Sequence, residues 1–221
     1  HMSNVHLTAE SAFGLDINSS IANRIADLNY LRNTAKLLVG VTVHHRYYRF
    51  FYSRDVYIQK MASIFDEIIN VSNAHILIIP MEDAIHSGGD RPIAKEIIAT
   101  TQHAERIHIL DGDYSPPITA AVIANMDIFI GTKTHSIVYG LKSSVPTIAI
   151  AYQQKSREFM ELFDMGEYVV DLKHLKKDDF MKIYSNVIIH RTLIADTLKH
   201  NIGTITQKSL INAELLIRLA G

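Results

Sequence analysis

Short runs of aliphatic and β-branched residues recur along this chain, each followed by a stretch with helical spacing. "LLVGVTV" (37–43) is continuously apolar, and "DVYIQKMASIFDEIINV" after it sets Val56, Met61, Ile64, Phe65, Ile68 and Ile69 near a helical repeat. "HILIIP" (75–80) is followed by "RPIAKEIIATTQ", and "RIHIL" (106–110) by "PPITAAVIANM", which opens on prolines as a helix start does. "DIFIG" then leads through "TKTHS" into a further apolar stretch. "VPTIAIAY" (145–152) is followed by "KSREFMELFDMG", and "EYVVDL" (167–172) closes the series. Strands apolar at every position, not alternate ones, belong to a parallel sheet covered on both faces. The expectation is therefore a doubly wound α/β domain with strands at 38–43, 75–79, 106–110, 127–130, 147–151 and 168–171.

The pattern also divides the chain. His1-Met2 reads as a remnant of cloning. Residues 3–35 do not fit the alternation and read as a segment leaving a preceding domain, with "NVHLT" as a stray strand and "INSSIANRIADLNYL" as a connection. Residues 36–175 carry the α/β alternation. Residues 176–221 read as a long helical segment interrupted near Gly203. A formal charge of −1 argues against an electrostatic nucleic-acid binder. Without cysteine there is no disulfide framework and no thiolate metal site. No apolar run approaches the roughly 20 residues that span a bilayer.

In open α/β sheets, ligands bind beyond the carboxyl ends of the strands. Those ends collect His44, His45 and Arg46; Glu82, Asp83, His86 and Asp90; Asp111, Asp113 and Tyr114; Lys133, His135 and Ser136; and Tyr152, Gln153 and Lys155. The stretch "DIFIGTKTHSIVYGL" (127–141) is the most informative of them. Gly131 allows a tight turn and Thr132 or Thr134 can cap the new helix. The first amides of that helix favour an anion, to which Lys133 adds a full charge. His135 can hydrogen-bond that anion or act as an acid or base near neutral pH. Ordinary capping and a solvated His44-His45-Arg46 loop are the plainer readings of the same residues. A metal held by His44, His86 and His135 is conceivable, but no spacing matches a metal motif, so no metal is expected. No Gly-rich nucleotide loop of either common type is present.

The stretch from 126 to 172 resembles the C-terminal half of polysaccharide pyruvyltransferases. In that family a strand ends in Gly-x-Arg-x-His, followed by a helix, a "VPxIxIxY" strand and a nearby lysine. Here these fall on Gly131, Lys133, His135, residues 145–152 and Lys155, and "VHLTAESAFGL" (5–15) is similar to the family's exit from its N-terminal domain, with Glu10 for the family's aspartate. The resemblance implies two Rossmann-like domains in a GT-B-like arrangement. It also implies transfer of a pyruvyl group from phosphoenolpyruvate to two hydroxyls of a cell-surface polysaccharide, with no further cofactor. His135 would be catalytic. Lys133, Thr132, Thr134, Ser136, His44, Arg46, Tyr152 and Lys155 would bind substrate, and His86 and Asp113 are further candidates. The implied partners are the donor, a glycan acceptor and a missing N-terminal domain. The implied place is the cytoplasm, near the inner membrane face where lipid-linked glycans are built. Lys133 stands where the family motif has arginine, which keeps the charge but loses the bidentate fork. Two alternatives remain open: a glycosyltransferase or sugar-nucleotide half of the same architecture, and a non-catalytic domain binding an anion or a partner.

Overall fold

The computed structural model describes residues 9–82 and 88–220. Six strands form one sheet: β1 (Leu38–Val41), β2 (His75–Ile78), β3 (Ile107–Ile109), β4 (Ile128–Gly131), β5 (Thr147–Ala151) and β6 (Val169–Asp171). All six expected strands are present, each within two residues of its expected limits. Their order is β3-β2-β1-β4-β5-β6 and every neighbouring pair is parallel. The helices are α1 (Ala26–Thr34), α2 (Arg54–Ser72), α3 (Asp90–Thr100), α4 (Pro116–Ile123), α5 (Thr134–Lys142), α6 (Gln154–Leu162) and α7 (Lys177–Ala220).

The apolar runs become strands because both faces of the sheet are covered. All residues of β1, β4 and β5 are buried. Local chemistry sets the crossovers. Ser53 Oγ accepts from the Val56 amide to start α2, and Asn73, at φ 53°, ends it in the left-handed conformation. Two prolines open α4.

Residues 9–34, which the sequence suggested were a connection, pack onto this body. Phe13, Ala22, Leu28 and Leu31 are fully or almost fully buried, and Phe13 packs edge-on against Phe159 and at a tilt against Phe163 in the α6 region. The "NVHLT" stretch lies outside the described residues.

The helix expected to break near Gly203 does not break. α7 runs without interruption from Lys177 to Ala220. A glycine inside a helix costs only about 1 kcal/mol relative to alanine. The buried stripe Phe180, Tyr184, Val187, Ile194, Leu198 and Ile205 outweighs that.

The strand order reverses between β1 and β4, and the crossovers diverge there. A crevice must open above the carboxyl ends of these two strands. Val41 is opposite Ile130 in the register, so the residues after β1 stand beside those after β4. The Thr42 amide donates to Ile130 O (3.0 Å), and Thr42 Oγ1 accepts from the Thr132 amide (2.9 Å).

Gly131 serves this junction differently from the expectation. Its φ is not in the left-handed region. A Cβ there would lie 2.6 Å from Ile137 Cγ1 and 3.1 Å from Phe129 Cε1, so the glycine lets α5 close onto the end of β4. Gly131→Ala is expected to destabilise the fold by about 1–3 kcal/mol, measured by urea denaturation. An unchanged midpoint would mean that Ile137 yields freely.

Candidate functional site

His44, Arg46, Glu82, Lys133, Thr134, His135, Tyr152, Gln153 and Lys155 line one cleft of about 320 Å³ at this switch point. Seven of the eleven residues singled out from the sequence as site candidates converge here. They come from the loops after β1, β4 and β5.

α5 begins at Thr134 with Lys133 as its N-cap residue, and no side chain accepts from the first amides. The expected cap by Thr132 or Thr134 is not formed, because both hydroxyls face other partners. Thr134 Oγ1 accepts from Gln153 Nε2 (2.5 Å) and lies 3.0 Å from Ser156 Oγ. Ser136 Oγ donates to Lys133 O (2.7 Å) and sits 3.0 Å from Thr42 Oγ1. Thr132 and Ser136 are buried, and their side chains brace the junction from behind the cleft. Helix geometry leaves the amides of Thr134, His135 and Ser136 without intrahelical acceptors. His135 is exposed in that first turn.

Lys133 is only 11 % exposed and its ammonium sits between two carboxylates, 2.8 Å from Asp90 Oδ2 and 3.1 Å from Glu82 Oε2. Asp90 is fully buried. Its Oδ2 also accepts from the amides of Met81 and Glu82, both at 3.0 Å, and its Oδ1 lies 2.9 Å from His45 Nδ1. Arg46 Nε donates to His45 Nε2 (2.8 Å), so His45 carries its proton on Nδ1 and gives it to Asp90. Arg46 also lies 3.4 Å from Glu82 Oε1. Lys133 and Arg46 together share the Glu82 carboxylate, whose pKa is lowered by the Lys133 hydrogen bond and nearby cations against the opposing effect of burial.

His44 is almost fully buried and packs edge-on against Tyr152, with ring centroids 5.1 Å apart. Its Nδ1 accepts from the Arg46 amide (3.3 Å), which places the proton on Nε2. Burial first, and the Lys133 charge second, push its pKa down to about 4, so it is neutral at pH 7. On the far rim, Lys155 pairs with Glu10 at 2.5 Å, which holds the Glu10 carboxyl below its ordinary range. Ser209 Oγ of α7 donates to Glu10 O (2.9 Å), so the N-terminal segment reaches the cleft edge.

One candidate stands apart. Asp113 lines a separate pocket with Pro80, Met81, Gly112 and Tyr114, and His86 lies outside the described residues. Thr42, Glu82, His45 and Asp90 carry much of the architecture, although the sequence marked three of them only as strand-end residues and left Thr42 unmarked. For Asp90 the available signal was the Gly88-Gly89-Asp90 opening of a helix. His44, His45 and Asp90 bring ligand atoms within 4.8 Å of one another, a spacing that suits a metal ion. However, the Lys133 ammonium and the His45 proton already engage the Asp90 carboxylate.

A group neutral in the fold but protonated when unfolded costs stability as pH falls. His44 is such a group, contributing full stability above pH 6.5 and losing it down to about pH 4. This loss is expected to be at most about 3 kcal/mol. His75 and His108, also lowered mainly by burial, act in the same direction. Urea denaturation at pH 7 and pH 4.5 should show His44→Asn losing less on acidification than the unsubstituted protein. Equal losses would show that His44 is not buried as described.

Comparison with known proteins places this geometry. The profile of the family described as polysaccharide pyruvyl transferase matches residues 1–154. Among solved structures, the chain is similar to a UDP-GlcNAc 2-epimerase from Neisseria meningitidis bound to UDP-GlcNAc. The TM-score is 0.64 at 11 % identity, over 99 % of this chain and 56 % of that one. It is also similar to the UDP-GlcNAc 2-epimerase of Methanocaldococcus jannaschii, with TM-score 0.62 at 14 % identity, over 98 % and 56 % of the two chains. An O-GlcNAc transferase mutant from Thermobaculum terrenum gives 0.57 at 11 %, over 83 % and 35 %. At these identities the likeness is one of fold, and the chain spans little more than half the length of the epimerases. With a match over most of its length, a doubly wound sheet and Gly131, Lys133 and His135 opening α5 at the switch point, the chain belongs to the polysaccharide pyruvyl transferase family.

Proposed function

We propose that this chain is the donor-binding half of an enzyme that transfers a pyruvyl group from phosphoenolpyruvate to two hydroxyls of a polysaccharide sugar. The main support is that Lys133 and His135, at the family motif positions, open α5 in one cleft with His44 and Arg46. A domain outside this chain completes the cleft and carries the acceptor. The reaction takes place in the cytoplasm, beside the membrane face where lipid-linked glycans are assembled, and needs no cofactor besides the donor.

Phosphoenolpyruvate must be held by its charges and given a proton. The free amides of Thr134, His135 and Ser136, with Lys133, Arg46 and Lys155 around them, suit its phosphate and carboxylate. Tyr152 and neutral His44 form the wall beside the three-carbon unit. In ketal formation the methylene carbon takes a proton, and one sugar oxygen bonds to the neighbouring carbon. The phosphate leaves with the electrons of its C–O bond, and the second sugar oxygen closes the ketal. Of the two hydroxyl protons released, one balances the methyl group and the other leaves on phosphate. His135, exposed in the first turn of α5, is placed to carry one of these protons.

In the enzyme with both halves of the cleft, His135→Gln is expected to lower kcat by about a hundredfold or more with little change in donor affinity. Lys133→Ala should mainly weaken donor binding. The chain alone should bind phosphoenolpyruvate but show no turnover with a glycan acceptor. Normal kcat with weakened binding in His135→Gln would make His135 a binding residue only. Tight binding of a UDP-sugar without phosphoenolpyruvate binding would favour the sugar-nucleotide reading.

A further inference from the structure

The two carboxylates on Lys133 are held in different ways. Asp90 has no exposure and takes hydrogen bonds from two amides, His45 and Lys133, so it has no room or reason to leave. Glu82 is clamped to Asp90 through its backbone. Its amide donates to Asp90 Oδ2 and its carbonyl accepts from the Asp90 amide (2.9 Å). Its side chain is 41 % exposed and reaches into the cleft. There its carboxylate lies 3.1 Å from Lys133 Nζ, 3.4 Å from Arg46 and 3.8 Å from His45 Nε2.

That is where a bound anion would lie, touching the cations that line the cleft. Rotation of one exposed side chain clears the position while the backbone stays clamped to Asp90. We infer that Glu82 is a displaceable internal counter-ion: its carboxylate occupies the anion position of the empty cleft, and the anionic group of the donor replaces it there. The inference rests on reading the cleft as an anionic-donor site. Asp90 has the opposite part. It is a positioning residue that keeps Lys133 aimed at the cleft, where the remaining N–H donors of the ammonium become available once Glu82 has moved. It also accounts for lysine at this motif position, since a single ammonium fits between Asp90 and an exchangeable partner where a guanidinium fork would need two fixed acceptors.

The competition has a sign. Removing a binding residue weakens affinity, whereas removing an internal competitor strengthens it. Isothermal titration of this chain with phosphoenolpyruvate, and separately with inorganic phosphate, would compare the unsubstituted protein with Glu82→Gln, Glu82→Asp and Asp90→Asn. Glu82→Gln is expected to tighten anion binding by about fivefold to tenfold with an unchanged melting temperature. Glu82→Asp, which keeps the charge, should lie between the two. Asp90→Asn should weaken binding and lower the melting temperature, and if it fails to fold, the two Glu82 variants decide the matter alone. Weaker or unchanged binding in Glu82→Gln overturns the inference. Tightening for phosphate without any phosphoenolpyruvate binding would leave the counter-ion standing and remove the donor reading. Failure of every form to bind either anion removes both.

Discussion

A fully buried carboxylate is costly unless its surroundings supply matching charge and hydrogen bonds. Asp90 receives them from the Met81 and Glu82 amides, from His45 and from Lys133. That one requirement ties together the loops after β1, β2 and β4, which differ widely in sequence position. It fixes where the chain turns after β2, it sets the tautomer of His45, and it draws Lys133 inward from the start of α5. Removing either partner would leave an uncompensated charge in the interior, so the arrangement is held more strongly than an exposed ion pair would be.

Around that anchor the cleft has a firm side and a soft side. The firm side is the junction of β4 with α5, where Gly131 admits Ile137, Thr42 braces the Thr132 amide and Ser136 is hydrogen-bonded behind the cleft. The soft side carries Glu82, Arg46 and Lys155, whose side chains are about half exposed. Rigid amides beside movable charges suit the proposed donor site, which would hold an anion and then release phosphate, because the helix start is positioned before the ligand arrives.

The sheet was readable from the sequence because its strand runs are largely apolar without alternation and are separated by stretches at helical spacing. Val39, Ile76, Ile128 and Ile148 each announce burial on both faces. The motif after β4 was readable for a similar reason, since a glycine followed by polar residues at a strand-to-helix change carries its chemistry locally. The partners of Lys133 were not readable. Asp90 is 43 positions away, and nothing local distinguishes it from an ordinary helix-opening aspartate. Gly203 misled because its local preference was weighed alone, whereas the buried stripe along α7 decides the outcome. The packing of Phe13 and Leu28 was missed because short irregular segments show no period even when they bury large side chains.

Anion capture at the start of α5 links the fold to the proposed chemistry, and amide spectroscopy reads it at single residues. Phosphoenolpyruvate titrated into isotope-labelled protein should produce its largest amide shifts at Thr134, His135 and Ser136, with smaller changes at Lys133 and Glu82 and none at the distant end of α7. Shifts confined to other surfaces, or none at millimolar donor, would contradict the placing of the donor at this helix start.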